Sequence, residues 1–158
     1  MVMSFFRRRD DSGIDRIEAQ VQLMVTDARH TFDLAMNALT GGSVASVGEE
    51  VRRTDRRINV TEMEIRRELV VHFSVHAAGD ATEMLVFMNM IKDLERIGDY
   101  NKNVFDLAEE GVSFLDADDL DRILGFRDEI SSRIALMGEI LTARDAERAR
   151  AYIARGDE

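Results

Sequence analysis

The chain contains no cysteine, no proline and no tryptophan, and only 6% of its 158 residues are aromatic. The absence of cysteine excludes disulfides, zinc–thiolate sites and a cysteine nucleophile, and it is consistent with a reducing compartment. No apolar run is long enough to cross a bilayer, and the first nine residues, MVMSFFRRR, are too few for a signal peptide. Together with a charged fraction of 33%, the lack of proline predicts a soluble all-α protein, which we expect in the cytoplasm.

Acidic residues outnumber basic residues by 31 to 21, which gives a formal net charge of −10. Nucleic-acid binding depends on neutralising phosphates with lysine and arginine, so this charge argues against a nucleic-acid partner. Carboxylates instead attract cations, and the positions of the acids along the helices therefore matter most.

The segment before the first helix combines apolar residues with Arg7, Arg8 and Arg9. One interpretation is that it rests on an anionic membrane surface, which would make the protein peripheral to the inner membrane. The other interpretation, which we prefer, is a frayed chain terminus.

Glycines and capping residues mark the boundaries of the first two predicted helices. The first helix begins at Ser12, repeats apolar residues every three or four positions, and ends at Gly41–Gly42. Ser46 and Glu49 have the spacing of a capping box, which predicts that the second helix begins there. This second helix is expected to run to about Ala78.

A second capping box, Asp80 with Glu83, predicts the start of a third helix that lasts to Gly111. An acidic linker follows, and Asp145 then begins a short fifth helix. Between them lies a fourth helix with an apolar stripe formed by Leu120, Ile123, Ile130, Ile134, Met137 and Leu141.

Two tight turns between three long helices predict an antiparallel three-helix bundle. We divide the chain into a tail (1–12), the bundle (13–111), a linker (112–118) and a remainder with the last two helices (119–158). The remainder cannot fully cover the apolar stripe of its own fourth helix. A homo-oligomer built partly through this helix is therefore expected.

Polar residues interrupt the apolar faces of the second and third helices. On the third helix, Glu95 and Asp99 stand beside the apolar stripe with Gly98 between them; the second helix has Asp55, Asn59 and Glu62 on its inward side. Carboxylates one helical turn apart lie about 5 to 6 Å from each other, and they repel unless a cation lies between them or one is protonated.

Two such sets of acids facing each other predict an all-oxygen site for a hard or borderline cation such as Mg²⁺, Mn²⁺ or iron. Gly98 costs the helix about 1 kcal/mol relative to alanine. We expect that its missing side chain lets the neighbouring backbone come close.

The segments DLERIGDYNKNVFDLAEEG and VRRTDRRINVTEMEIRREL resemble the PhoU family of phosphate-uptake regulators. The resemblance implies three-helix repeats in which acid pairs, Glu/Asp-x-x-x-Asp, bind metal clusters on the surface of the bundle. Glu95 and Asp99 match this motif and so does Asp55, whereas Asn59 stands where the motif has a second acid. We therefore expect weak or single-ion binding rather than a rich cluster.

The resemblance covers residues 14–111 as one complete repeat, and residues 120–158 resemble the start of a second. Typical members carry two complete bundles. The sequence is therefore expected to be a single-bundle form, a piece of a longer protein, or a chain whose missing packing comes from another subunit.

The resemblance also implies a cytoplasmic regulator that binds a phosphate transporter or its associated sensor kinase, and that restrains uptake and signalling when phosphate is plentiful. The alternative is a structural helical dimerisation module whose acids are solvated and indifferent to metals. Sequence motifs of catalysis are missing: there is no G-x-S-x-G elbow, no P-loop, no H-E-x-x-H and no Glu-x-x-His step of the di-iron proteins. We do not expect an enzyme.

Three further groups of residues have a structural and a functional interpretation. His72 and His76 are spaced for metal chelation but lie in an apolar segment, which favours buried or boundary histidines. Asp27 and His30 form a D-x-x-H step in which the periodicity turns His30 outward. The third group is a set of arginines for which we prefer a solvated face paired with Glu49 and Glu50 over a docking site: Arg52, Arg53, Arg56 and Arg57.

Overall fold

The computed structural model describes residues 12–76 and 81–156. Within these ranges the chain forms helices and no strand, which confirms the predicted all-α class. The helices are α1 (Ser12–Leu39), α2 (Val44–His76), α3 (Ala81–Glu109), α4 (Leu120–Ala143) and α5 (Ala146–Ala154). The arginine-containing N-terminal segment, Ala78 and Asp80 lie outside the described residues.

The core lies between α1, α2 and α3, each of which packs against the other two. Apolar residues spaced by three or four positions turn inward from all three helices, as their periodicity predicts. Fully buried side chains include Met24 of α1, Ile58 and Ile65 of α2, and Phe87 and Ile91 of α3. Burying such residues is worth about 1.5 to 3 kcal/mol each, so this shared core holds the bundle together.

The turn between α1 and α2 fixes the position of the segment that follows α3. Gly41 has a φ of +113°, a conformation that favours glycine, and the side chain of Leu115 packs against it. The amide of Phe114 donates a hydrogen bond of 2.7 Å to the carbonyl oxygen of Leu39. The segment after α3 is thereby tied to this turn, and α4 starts from the same end of the bundle.

The start of α2 differs from the sequence prediction. The helix begins at Val44, and the hydroxyl of Ser46 donates to the carbonyl oxygen of Ser43 at 2.8 Å. The predicted capping box of Ser46 with Glu49 is therefore wrong, because Ser46 is already inside the first turn. At α5 the prediction is confirmed, since the carboxylate of Asp145 accepts hydrogen bonds from the amides of residues 147 and 148.

The fourth helix packs along α1, and α5 folds back against α4. Gly138 allows a close approach, since a Cβ there would lie 3.2 Å from Val25. Ile134 is buried and joins the core, while Ile130 is 44% exposed. The apolar stripe predicted on α4 is thus divided between the chain's own core and an outward face. No described helix is long and apolar enough to cross a membrane.

Candidate functional site

The predicted site residues lie along the contact between α2 and α3. The side chain of Ile58 packs against Gly98, where a Cβ would lie 3.1 Å from the Ile58 Cδ1 atom. The glycine therefore makes room for the side chain of Ile58 where α2 and α3 meet. By the same contact Asp55, one turn before Ile58, lies opposite Lys102, and Asp99 lies one turn before Lys102 on α3.

Asp55 is half-buried, and its environment is unusual for a carboxylate. Burial raises the pKa of Asp55, and the negative charges of Asp99 and Glu95 raise it further, while Lys102 and Arg56 act in the opposite direction. The structure thus brings these three acids into one electrostatic neighbourhood. It also places the ammonium group of Lys102 there, which the sequence analysis did not consider.

Glu95 and Glu62 each have a cationic partner one turn away on the same helix. The Nζ atom of Lys92 lies 2.6 Å from Glu95 Oε2, and the guanidinium of Arg66 donates to Glu62 Oε1 from Nε at 2.9 Å and from a terminal nitrogen at 2.7 Å. Both carboxylate side chains are largely buried, at 14% and 13% exposed. Their charges are therefore compensated within each helix.

The antiparallel register places Glu62 and Asn59 along the same contact. Arg52 lies 3.7 Å from Asp106, and Ile58 meets Gly98, so residue numbers on α2 and α3 that sum to about 157 are opposite each other. By this register Glu62 is level with Glu95. Asn59 is half-buried between Asp55 and Glu62 on α2.

The oxygen donors of this surface are of the kind that a hard cation prefers. Among the described residues, no three acidic or histidine side chains form a group already shaped to hold a metal ion. The acids are instead balanced by Lys92, Lys102 and Arg66.

The histidines occupy two kinds of position. His30 is outward, as predicted, with Nε2 3.6 Å from Glu50 Oε1 on α2. His72 is buried, which agrees with the preferred interpretation, and the side chain of His76 lies outside the described residues.

The arginines of α2 form ion pairs with more specific partners than the sequence predicted. Arg53 pairs with Glu50, as predicted, but Arg52 pairs with Glu109 on α3. Arg57 donates to both carboxylate oxygens of Asp27, at 2.6 and 2.5 Å. The side chains of Arg52 and Arg57 are about two-fifths exposed, as a solvated face requires, but the predicted pairing with Glu49 and Glu50 is wrong for both.

Sequence reasoning missed the polar groups that join α1 to its neighbours. Asp27 is only 4% exposed, and the amide of Asn101 donates to the carbonyl oxygen of Ala28 at 2.7 Å. The available signal was positional: Asp27 follows Met24 by three positions and precedes Thr31 by four, so it lies on the inward face of α1.

Neither a curated protein nor a solved structure matches the chain. A family model does: the PhoU domain matches residues 21–108. This match contains most of α1, all of α2 and nearly all of α3, including Asp55, Asn59, Glu62, Glu95 and Asp99. Because it covers more than half of the sequence, the chain belongs to the PhoU family.

Proposed function

We propose that the protein is a cytoplasmic regulator of inorganic phosphate uptake, which acts by binding a phosphate transporter or its sensor kinase and carries a cation on the α2–α3 surface. The PhoU family is regulatory and not enzymatic, and this family supports the general role. The observation that carries the finer proposal is the half-buried carboxylate of Asp55 beside Asp99 and Glu95. Like charges persist at such a position at a cost in stability, which suggests that the position serves binding.

A bound cation would neutralise this repulsion directly. Asp55, Asp99 and Glu95 would supply carboxylate oxygens, and Mg²⁺, Mn²⁺ or iron suits such ligands. Because Asn59 brings no charge and Glu62 is bound to Arg66, we propose a single ion bound weakly. The cation would release Lys92 from Glu95 and change the charge that α2 and α3 present to a partner.

Thermal melts with added metal test the cation site. An ion that binds only the folded state stabilises it by RT ln(1 + [L]/Kd), about 2.7 kcal/mol at a hundredfold excess over Kd. The melting temperature should rise with Mg²⁺, Mn²⁺ or Fe²⁺ and fall again with a chelator. The double variant Glu95→Gln with Asp99→Asn should lose this rise while keeping the metal-free stability.

A matched control variant, Asp93→Asn with Glu110→Gln, also removes two negative charges. Both residues are exposed; Asp93 lies in α3 and Glu110 directly follows that helix. This variant should retain the metal-dependent rise. Equal responses in the wild type and the Glu95/Asp99 variant would exclude these residues from a metal site.

Affinity capture from cells grown in high phosphate tests the partner. We expect recovery of a phosphate transporter or its sensor kinase, reduced by the Glu95/Asp99 variant. Recovery of the protein's own subunits alone would contradict the regulatory proposal and favour a structural dimerisation module.

A further inference from the structure

The α4–α5 hairpin contains a cleft that lies outside the segment matched by the PhoU domain. The two helices are joined at Arg144, which has a φ of +49°, and Asp145, which caps α5. They contact each other over a short length only. The space between them has a volume of about 280 Å³.

The walls of the cleft are basic, in a chain with a net charge of −10. Among the described residues, three arginines line it, Arg133 from α4 and Arg148 and Arg155 from the α5 side, together with one acid, Glu129. The lining residues recur at positions i, i+3, i+4 and i+7, counted from Glu129 on α4 and from Arg148 on the α5 side. Each helix therefore turns one face to the cleft.

Two of the three arginines are bound to acids of α4. The guanidinium of Arg133 donates to Glu129, at 3.1 Å from Nε, and to the carbonyl oxygen of Arg155, at 3.3 Å. Arg148 lies near the joined ends of the two helices, 2.9 Å from Glu139. Among the residues described, the guanidinium of Arg155 forms no hydrogen bond or ion pair. The cleft thus has more positive charge than its own acids neutralise.

The floor of the cleft is apolar. Ile140 is buried and Leu136 half-buried, and Tyr152 stands beside them. Burial raises the pKa of the Tyr152 phenol, and the positive charge of Arg133 opposes this only in part. The phenol therefore stays protonated at neutral pH and can donate a hydrogen bond to an anion.

We infer that the α4–α5 cleft binds a small organic anion, with its phosphate or carboxylate group on the arginines and a compact apolar or aromatic body against Leu136 and Ile140. The planar guanidinium matches both kinds of anion in geometry. The cleft has room for the organic body, with a volume of about 280 Å³ above an apolar floor. A bare inorganic ion would leave the apolar floor uncovered.

Calorimetric titration of the full chain with four probes tests the inference. Phenyl phosphate and benzoate combine an anion with an aromatic body, inorganic phosphate lacks the body, and benzyl alcohol lacks the charge. We expect phenyl phosphate or benzoate to bind at least about tenfold more tightly than inorganic phosphate and benzyl alcohol. Whichever of phenyl phosphate and benzoate binds more tightly shows whether the cleft prefers a phosphate or a carboxylate group. Benzyl alcohol or inorganic phosphate binding equally well would overturn the inference, and so would the absence of binding by all four.

Two charge-matched variants locate the site. Arg155→Gln should weaken the tighter probe by about tenfold or more, because a hydrogen bond to a charged group is lost. Arg150→Gln removes the same charge from α5 at a residue that does not line the cleft, so it should leave affinity within about twofold. Equal losses in the two variants would show a general charge effect and overturn the site. A chelator should change neither result, which separates this test from that of the acids on α2 and α3.

Discussion

At the scale of single residues, the pair of Asp27 and Arg57 joins α1 to α2 in a way that the composition does not reveal. The carboxylate is almost fully buried and accepts two hydrogen bonds from one guanidinium. Removal of Arg57 leaves a buried charge without its partner, which costs more than the pair itself contributes. We expect Arg57→Met to lower the free energy of unfolding by about 2 to 3 kcal/mol, measured by urea denaturation.

Arg53→Met provides the comparison, because Arg53 pairs with Glu50 at the surface. It should change the free energy of unfolding by less than about 1 kcal/mol. The double variant Asp27→Leu with Arg57→Met should recover part of the loss, since no buried charge then remains. Similar losses in the two arginine variants would contradict the importance of the buried pair.

The effect of replacing Asp55 on the stability of the protein should depend on pH. Its pKa is raised in the folded protein, chiefly by burial, so its ionised form destabilises the fold relative to a neutral side chain. Asp55→Asn should therefore raise the melting temperature at pH 7 in the presence of a chelator. The gain is complete above the folded pKa and disappears as the pH falls towards the ordinary value of 3.8, because the folded carboxyl then becomes protonated.

Melts at pH 7 and pH 4 measure this difference, with Asp93→Asn as the exposed control on α3. Asp93 is 69% exposed and pairs with Arg96 at the surface, so its replacement should have little effect at either pH. A gain for Asp55→Asn of equal size at both pH values would contradict the assignment to Asp55.

The positions of the individual acids were predictable, but their partners were not. Helical periodicity placed Asp55, Glu62, Glu95 and Asp99 beside the apolar faces of α2 and α3, and all four residues are half-buried in the structure. It could not show that Lys92 and Arg66 bind two of these acids, because side-chain rotamers decide which neighbour a long cation reaches. The partner of Asp27 lies 30 residues away, and only tertiary packing brings it near.

At the scale of helices, two glycines in regular helical segments have different reasons to be there. Gly98 faces Ile58, whereas a Cβ at Gly125 of α4 would meet nothing within 4 Å. Gly125→Ala should therefore stabilise the protein by about 0.5 to 1 kcal/mol through helix propensity. Gly98→Ala should give no such gain, because its methyl group would lie 3.1 Å from a side chain that is itself buried.

A double variant tests the cause of this difference. Ile58→Val removes the Cδ1 atom and alone costs about 0.5 to 1.5 kcal/mol. Combined with Gly98→Ala it should cost less than the sum of the two single changes. Two results would contradict a close contact between the two helices here. One is that the stability changes of the two single variants add strictly in the double variant, and the other is that Gly98→Ala alone stabilises the protein by about 0.5 to 1 kcal/mol.

Most helix ends followed from the sequence because glycines and caps act locally. Gly41 and Asp145 fulfil the predicted roles. The start of α2 did not follow, because Ser43 and Ser46 each offer a hydroxyl group for one helix terminus. The choice among them depends on how the preceding turn packs, and Leu115 from a distant segment contributes to that packing.

At the scale of the whole molecule, the sequence predicted a bundle with an additional helix but not which side of that helix is covered. Ile134, which the periodicity assigned to a stripe left partly open, is 7% exposed and packs in the core shared with α1. Phe126 and Ile130 lie on the outward side and are about half exposed. A pattern of apolar residues gives the direction of a face, whereas its partner depends on the arrangement of the other helices.

We predict a dimer or larger assembly through this outward side of α4. Covering Phe126 and Ile130 removes apolar surface from water at a gain of about 25 cal/mol per Å². Ile130→Glu should lower the molar mass seen by light scattering at micromolar concentration, with little change in the melting temperature of the dissociated chain. Ile134→Glu should instead destabilise the fold itself, because it places a charge in the core. A monomeric wild type whose mass is unaffected by Ile130→Glu would rule out this interface and leave α4 as a helix that serves its own chain alone.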